Sequence, residues 1–435
     1  PLWTNIVEER PLSGSLSWRS MHRTLIGKSK TLDDHVPIVG GDVVDELRRL
    51  GKPLKNLKVL NISVTAFGTG VAELLRSSVP LFCDLGLKCH WEVTRADERF
   101  TYVNKEMYRA LAGGQVEWTD DMTGVWERYT AMNAELLRGN FDIIVVHDPQ
   151  PAALRSYAHK GRHRGQWVLH SHIDAASAQD EVWRLLQPHI LEYDALVFED
   201  ESFLGKGMDK SSVSFIAPAI DPLGTRNMEI SGHAVDHLLN RLGIDPARPL
   251  VAQIAPLSKE SNALGAVQAY WYAREEIPGL QLVLVATASP QDPVAFSYFE
   301  SVLKVAAEDP DIHVLPHPDH AGNVEVNVIQ RAARAVTQRA LQRGFGIWIS
   351  DALWKKTPVV AAPMGGIPKQ VIDGKTGFLA ESDEGFAERI VDLIRDEELA
   401  QRLGSAGREH VAENFLICRY LREYLQLLHK LSSNL

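Results

Sequence analysis

The sequence is poor in cysteine, in clustered basic residues and in long apolar runs. Its three cysteines, Cys83, Cys89 and Cys418, have no C-x-x-C spacing, which argues against a disulfide framework and a thiolate metal site. The formal net charge is -10, without a dense Lys/Arg run, so a nucleic-acid groove is not expected. No apolar run is long enough to cross a membrane, and residues 1–14 lack a signal-peptide core. We therefore expect a cytoplasmic protein with no membrane span, nucleic-acid partner or metal site.

Length and composition indicate a globular protein with more than one domain. At 435 residues, 45% apolar and 23% charged, the chain should form two or three domains that each bury a core. We place boundaries where the residue pattern changes. The predicted parts are an irregular N-terminal arm packed on the body (1–55), an N-terminal domain (56–245), a C-terminal domain (246–410) and a terminal helical segment (411–435).

Short apolar runs alternate with helical segments from Lys58 onward, which is typical of βαβ crossovers and parallel sheets buried on both faces. A Pro-rich boundary at 243–249 separates two series of such runs. We therefore predict an α/β fold of two doubly wound, Rossmann-like domains. Ligands in such sheets lie outside the carboxyl ends of the strands, so the expected site is the cleft between the domains. The predicted strands are 59–64, 88–93, 142–147, 166–171, 195–198 and 213–217, then 250–255, 280–286, 312–315, 333–337, 359–362 and 377–380.

The segment Val359–Leu379 combines an apolar strand, a Gly-Gly turn and the start of a helix. Gly365, Gly366 and Ile367 follow the strand, and free N–H groups at such a helix start attract anions. A plain turn between strand and helix explains the same residues, because glycine pairs are common in turns. The pattern alone leaves both interpretations open.

Two predicted strands of the first sheet end in a histidine and a carboxylate. His147 and Asp148 follow one strand, and His172 and Asp174 follow the next. The carboxyl ends of parallel strands meet at one edge, and imidazole and carboxylate groups are common partners of sugar hydroxyls. A histidine that only satisfies a hydrogen bond in the core is the competing interpretation.

The last predicted helix, 416–431, carries an apolar stripe at helical spacing. Such a stripe most often packs on a core, and an oligomer interface is the alternative.

Five motifs occur in the order found in one known family. They are Phe67–Glu73 (FGTGVAE), His147–Ala153 (HDPQPAA), His172–Asp174 (HID), Pro218–Leu223 (PAIDPL) and Gly365–Leu379 (GGI…DGKTGFL). From about Lys58 to its end the chain resembles the trehalose synthase type of retaining glycosyltransferase, in glycosyltransferase family 4. The resemblance implies a GT-B architecture, in which the terminal helix returns to the first domain.

The resemblance also implies a reaction. Glucose would pass from a nucleotide-glucose, such as UDP-glucose or ADP-glucose, to free glucose and give α,α-trehalose, without a metal ion or a further cofactor. A homodimer is compatible with the family. The implied site residues are His172 for catalysis, Gly68, Thr69, Gly70, Val71, His147, Asp148, Gln150 and Asp174 on the acceptor side, and Gly365, Gly366, Ile367 and Asp351 on the donor side.

The donor side departs from the family pattern. In the family an Arg and a Lys, in a loop after the first strand of the second domain, meet the diphosphate charge. An ungapped match puts Pro256 and Ser261 at those positions. The family's Glu before Gly-Phe-Gly is Arg343 here, whereas Asp351 keeps the charge of a second Glu on a shorter side chain. Arg343 and Lys259 are the cations placed to compensate.

Two hypotheses of different classes remain. The first is an active trehalose-forming transferase, in which Arg343, Lys259 and the glycine turn hold the diphosphate. The second is a catalytically silent relative that binds a sugar or a regulatory partner. The substitutions at Pro256, Ser261 and Arg343 separate the two hypotheses. Because loss of one preorganised donor costs about 10²- to 10³-fold in rate, we favour impaired transfer.

Overall fold

A computed structural model describes residues 21–24, 30–158, 163–256, 259–287, 293–317, 322–341 and 344–433. Arg343, together with most of the first 29 residues, lies outside this described part. Within it the chain forms two sheets that follow one another in sequence. No described helix is both long and apolar enough to cross a membrane.

The first sheet has seven strands in the order β1-β3-β2-β4-β5-β6-β7, and the second has six in the order β10-β9-β8-β11-β12-β13. Every pairing between described strands is parallel except that of β1 with β3. The strands are β1 (His22–Arg23), β2 (Lys58–Ser63), β3 (Lys88–Val93), β4 (Ile143–His147), β5 (Gln166–Ser171), β6 (Ala195–Phe198), β7 (Val213–Phe215), β8 (Leu250–Pro256), β9 (Gln281–Thr287), β10 (Ile312–His317), β11 (Ala335–Gln338), β12 (Val359–Ala361) and β13 (Gly377–Leu379).

Helices connect nearly all successive strands. They are α1 (Leu32–Val39), α2 (Gly41–Gly51), α3 (Gly70–Asp84), α4 (Glu98–Leu111), α5 (Asp120–Leu136), α6 (Leu154–Tyr157), α7 (Asp180–Ile190), α8 (Gly232–Arg241), α9 (Ala263–Glu276), α10 (Pro293–Ala306), α11 (Asn323–Ala332), α12 (Ile347–Trp354), α13 (Ile367–Gln370), α14 (Asp383–Arg395), α15 (Glu397–Asn414) and α16 (Ile417–Ser432).

Both faces of the first sheet are buried, because successive residues of a strand point to opposite sides. In β4, Ile143 and Val145 join one apolar cluster, whereas Ile144 and Val146 join another. This explains why its strands are continuous apolar runs rather than alternating ones. The fold of two doubly wound parallel sheets is confirmed, and every predicted strand is present with ends displaced by at most two residues.

The prediction of an irregular segment before residue 55 is wrong for its described part. Thr31 caps α1 and forms a reciprocal capping box with Asp34, which satisfies N–H groups at the helix start. Gly40, at a φ of 86°, then separates α1 from α2. The prediction counted Pro and Gly residues and overlooked these capping signals.

The terminal helix α16 returns to the first domain, as predicted. Its buried stripe shares an apolar cluster with Val44 and Leu47 of α2. Arg419 fixes the start of the helix by donating to the carbonyls of Ala217 (2.9 Å) and Pro218 (2.8 Å). The stripe is therefore a packing surface within the chain.

The two domains contact each other across the cleft. Phe203 of the first domain lies in the same apolar cluster as Phe345 and Ile367 of the second. An ion pair joins Lys369 to the buried carboxylate of Asp200. These contacts place the carboxyl ends of the two sheets next to each other.

Candidate functional site

A chain of polar side chains lies at the carboxyl ends of β2, β4, β5 and β6. The Nε2 atom of His147 is 3.1 Å from Asn61 Oδ1, and its Nδ1 atom is 3.0 Å from His172 Nε2. The Nδ1 atom of His172 is in turn 2.9 Å from Glu199 Oε1. Parallel β-strands bring these groups together because they end at one edge of the sheet.

The hydrogen-bond partners assign the tautomers in this chain. Asn61 Nδ2 donates to the carbonyl of His90, so Oδ1 accepts from the Nε2–H group of His147. The Nδ1 atom of His147 then accepts, and His172 Nε2 donates to it. Both ring nitrogens of His172 are therefore engaged within the protein, and its predicted catalytic role requires that one of these bonds opens.

Burial opposes a charge on each of these hydrogen-bonded side chains. It lowers the pKa of His147 well below its usual value, and it lowers that of His172 as well. Burial, together with the nearby Asp200 carboxylate, raises the pKa of Glu199 well above its usual value. These shifts favour the uncharged forms of the two imidazoles and of the carboxyl group, which are hydrogen-bonded to one another.

Three further predicted acceptor residues lie near these hydrogen-bonded side chains. Asp148 has a φ of 69° and accepts from the backbone N–H of His172, while Asp174 accepts from that of Ala176. Gln150 is buried, and its Oε1 atom has no hydrogen-bond partner among the described residues. A buried oxygen without a donor is costly, so Gln150 is the side chain here best suited to receive a ligand hydroxyl.

The predicted glycine turn of the acceptor side is exposed at the cleft. Gly68 has a φ of 74°, and Thr69 caps α3 by accepting from the N–H of Ala72. A Cβ atom on Gly70 would lie 3.8 Å from Ile347 of the second domain. The turn thus brings α3 to the start of α12.

Between these two helices lies a small cleft that is open to solvent. Glu73 and Asp221 line it from the first domain and Asp351 from the second. The described cation in its lining is Arg226, which lies 3.5 Å from Asp351 and stacks 3.9 Å from the ring centroid of Trp348. Carboxylates therefore outnumber cations in the described lining.

Two N–H groups of the Gly-Gly turn on the donor side are hydrogen-bonded within the protein. The N–H of Gly366 donates to the carbonyl of Gly344, and that of Ile367 donates to the carbonyl of Met364. Gly365 has a φ of 54°, and a Cβ atom there would lie 2.5 Å from the nitrogen of Gly344. The glycines permit a close backbone approach, and two N–H groups of the predicted anion site are already bonded.

Asp351, predicted to hold a ribose, has hydrogen-bond partners within the protein. It is 2% exposed, and its Oδ1 atom accepts from Asn227 Nδ2 at 2.7 Å. Its backbone carbonyl accepts from the buried ammonium group of Lys355 at 2.9 Å. The carboxylate thus links α12 to the segment that joins the two domains.

The positions that carry the family's cations lie around the end of β8. Pro256 is the last residue of that strand. Ser261 is buried, and its carbonyl accepts from Gln253 Nε2 at 3.1 Å. Lys259 is exposed to solvent. Of the two candidate compensating cations, Lys259 thus lies near the site, and Arg343 is outside the described residues.

Sequence reasoning missed Asn61, His170 and Glu199. Glu199 directly follows a predicted strand, so its position was a usable signal. Asn61 and His170 lie inside apolar runs. A polar residue in a strand that is buried on both faces needs hydrogen-bond partners, so its presence indicates a polar network.

Known proteins resemble the chain over nearly its whole length. Residues 61–205 match the family described as trehalose synthase, N-terminal domain, and residues 238–410 match glycosyl transferases group 1. Trehalose synthase from Thermococcus litoralis is 34% identical over 405 residues, or 93% of this chain and 98% of that protein. The protein of the same name from Rubrobacter xylanophilus is 35% identical over 405 residues, covering 92% of this chain and 97% of its own.

A solved structure shares the fold at low sequence identity. The α,α-trehalose 6-phosphate synthase from Burkholderia multivorans superposes with a TM-score of 0.69 and 14% identity, covering 87% of this chain and 99% of that one. Two parallel-sheet domains in this arrangement define the GT-B architecture.

Proposed function

Since the chain belongs to the trehalose synthase family of glycosyltransferases, we propose that it is a sugar-binding member in which glucose transfer from a nucleotide-glucose is strongly slowed. One feature of the sequence carries this proposal: the family resemblance implies that the donor half lacks its cations while the acceptor half keeps its polar groups. In an ungapped match to the family pattern, Pro256 and Ser261 fall where an Arg and a Lys are expected, and His147, Asp148 and His172 lie within the acceptor-side motifs.

Asp351 is the predicted donor-side residue that lines the cleft, and the charge around it disfavours an anion. A nucleoside diphosphate is an anion, and it needs fixed positive groups or free N–H donors. Glu73, Asp221 and Asp351 line the cleft, and the guanidinium of Arg226 is already paired with Asp351. The bonded N–H groups of Gly366 and Ile367 add no free donor.

The expected loss of glucose-transfer rate is large. Removing one preorganised donor from a transition state costs about 10²- to 10³-fold, or roughly 3–4 kcal/mol. Two such losses are not strictly additive, and among the described residues Lys259, exposed near the end of β8, is the cation placed to offset them.

We expect calorimetric titration with UDP, UDP-glucose and ADP-glucose to give no binding below millimolar concentration, whereas glucose binds. Trehalose synthase from Thermococcus litoralis, titrated with the same ligands, serves as the reference. Micromolar binding of a nucleotide together with trehalose formation would refute the proposed loss of transfer. Failure of glucose to bind would refute the proposed sugar site.

The substitution Gln150→Met tests the acceptor half separately. It removes the buried Oε1 atom that has no described partner, and it keeps the backbone carbonyl that accepts from Trp126 Nε1. We expect glucose to bind about fivefold more weakly, since one hydrogen bond is worth about 1 kcal/mol. The melting temperature should be unchanged or higher. Unchanged glucose affinity would exclude Gln150 from the site.

An active trehalose-forming transferase is the second candidate. The 34% identity that extends over 93% of the chain favours it, and Arg343 with Lys259 would then supply the missing charge. The double substitution Arg343→Gln with Lys259→Gln distinguishes the two candidates. An active transferase would lose trehalose synthesis, whereas a silent relative forms no trehalose before or after the change.

A further inference from the structure

Three buried imidazoles meet at the ends of β4 and β5. His147 is the last residue of β4, and its Cα partner across the sheet is His170. His172 lies one residue beyond β5. One ring nitrogen from each of the three lies within 4.8 Å of one from each of the others. Histidines on two neighbouring strands thus converge on one point.

The opposite ring nitrogen of each histidine is oriented by an oxygen atom. These contacts are His147 Nε2 to Asn61 Oδ1 at 3.1 Å, His170 Nδ1 to Tyr424 Oη at 3.3 Å and His172 Nδ1 to Glu199 Oε1 at 2.9 Å. Histidine ligands of metal ions are held in this way, by an outer oxygen partner that fixes the tautomer and the ring orientation.

The remaining nitrogen of His170 is a second, independent sign of a ligand. His170 is 0% exposed, and its Nε2 atom has no hydrogen-bond partner among the described residues. Its ring centroid lies 4.0 Å from that of His172. A buried nitrogen without a partner is costly, and a bound ion would remove this cost.

We propose that His147 Nδ1, His170 Nε2 and His172 Nε2 bind one divalent transition-metal ion, with zinc the best match. Three neutral nitrogen ligands without a carboxylate favour zinc, copper or nickel over magnesium or calcium. The ion displaces the proton that His172 Nε2 donates to His147 Nδ1, and this proton is released to solvent. With Zn–N bonds of about 2.0–2.1 Å, the 3.0 Å separation of these two nitrogens opens by a few tenths of an ångström.

Of the three imidazoles, that of His172 reaches solvent to a small extent. The side chain of His172 is 8% exposed, and it lies at the strand ends that face the cleft. A fourth coordination position is left for water or for a ligand hydroxyl, as in three-histidine zinc sites. The proposed metal site differs from the expectation of a metal-free protein and is independent of the proposed loss of nucleotide binding.

The test is calorimetric titration of the chelator-treated protein with Zn²⁺. We expect one ion per chain with micromolar or tighter affinity, and at least about 10²-fold weaker binding in His170→Gln. The control is His189→Gln, which changes a histidine bonded to Ser156 and should bind Zn²⁺ like the unmodified chain. No Zn²⁺ binding, or equal affinity in His170→Gln, would overturn the proposal.

Two further measurements keep the test decisive if His170→Gln fails to fold. Co²⁺ added to the unmodified chain should give the ligand-field absorption bands of a four- or five-coordinate nitrogen site. Glu199→Gln should weaken Zn²⁺ binding by about 10- to 100-fold, the usual effect of changing an outer partner. Absence of the bands, or unchanged affinity in Glu199→Gln, would contradict the assigned site.

Discussion

Replacing Lys355 with methionine should lower the free energy of unfolding by about 3–5 kcal/mol, because it leaves buried oxygens without a donor. The ammonium group donates to Asn227 Oδ1 at 2.7 Å, Gln330 Oε1 at 2.9 Å and the Asp351 carbonyl at 2.9 Å. The amide nitrogens of Asn227 and Gln330 are bonded elsewhere, so their oxygens must face Lys355. The cluster cannot rearrange without losing further hydrogen bonds.

Burial lowers the pKa of Lys355 to about 7, and the nearby Asp351 carboxylate opposes this shift. The three acceptors therefore hold an ammonium group that is expensive to bury. Denaturant unfolding of Lys355→Met should be compared with that of Lys356→Met, which changes the exposed neighbouring lysine and should have little effect. Equal stability of the two variants would show that the cluster contributes no net stabilisation.

The family motif at Asp351 did not reveal which side chains contact this residue in the folded protein. A carboxylate at that position in the family pattern predicts a ribose contact, and spacing alone shows nothing of what lies across the cleft. In the structure Asn227, which is 124 residues away in the chain, binds the carboxylate. Its role toward a nucleotide stays a prediction, and any such contact must compete with Asn227 and Arg226.

The sheets could be predicted from the sequence because their strands are buried on both faces. Runs such as 143–146 and 359–362 contain apolar residues without interruption, and a strand covered on both sides needs such a run. The apolar stripe of α16 could be predicted from the sequence for a similar reason, since burial along one helix face sets the spacing of its leucines.

The details of the site could not be predicted, because they depend on which strands are neighbours. The contact between His172 and Glu199 requires β5 to lie beside β6 in a fixed register. The bond from the Gly366 N–H to the Gly344 carbonyl joins two loops of the second domain. Spacing located the Gly-Gly turn and did not reveal that its N–H groups have partners. The domain boundaries, the cytoplasmic location and the homodimer remain predictions.

Replacing Leu425 with alanine should cost about 2–5 kcal/mol, the range for a leucine whose removal leaves a cavity. Leu425 is 0% exposed and lies in the apolar cluster that contains Val44 and Leu47 of α2. Chemical unfolding should show the loss, and Gln426→Ala, an exposed change on the same helix, should stay within about 0.5 kcal/mol. If the stripe were an oligomer interface, the loss would depend on protein concentration. Because α16 packs on α2 of the same chain, we expect no such dependence, and the helix then contributes to the stability of the first domain itself.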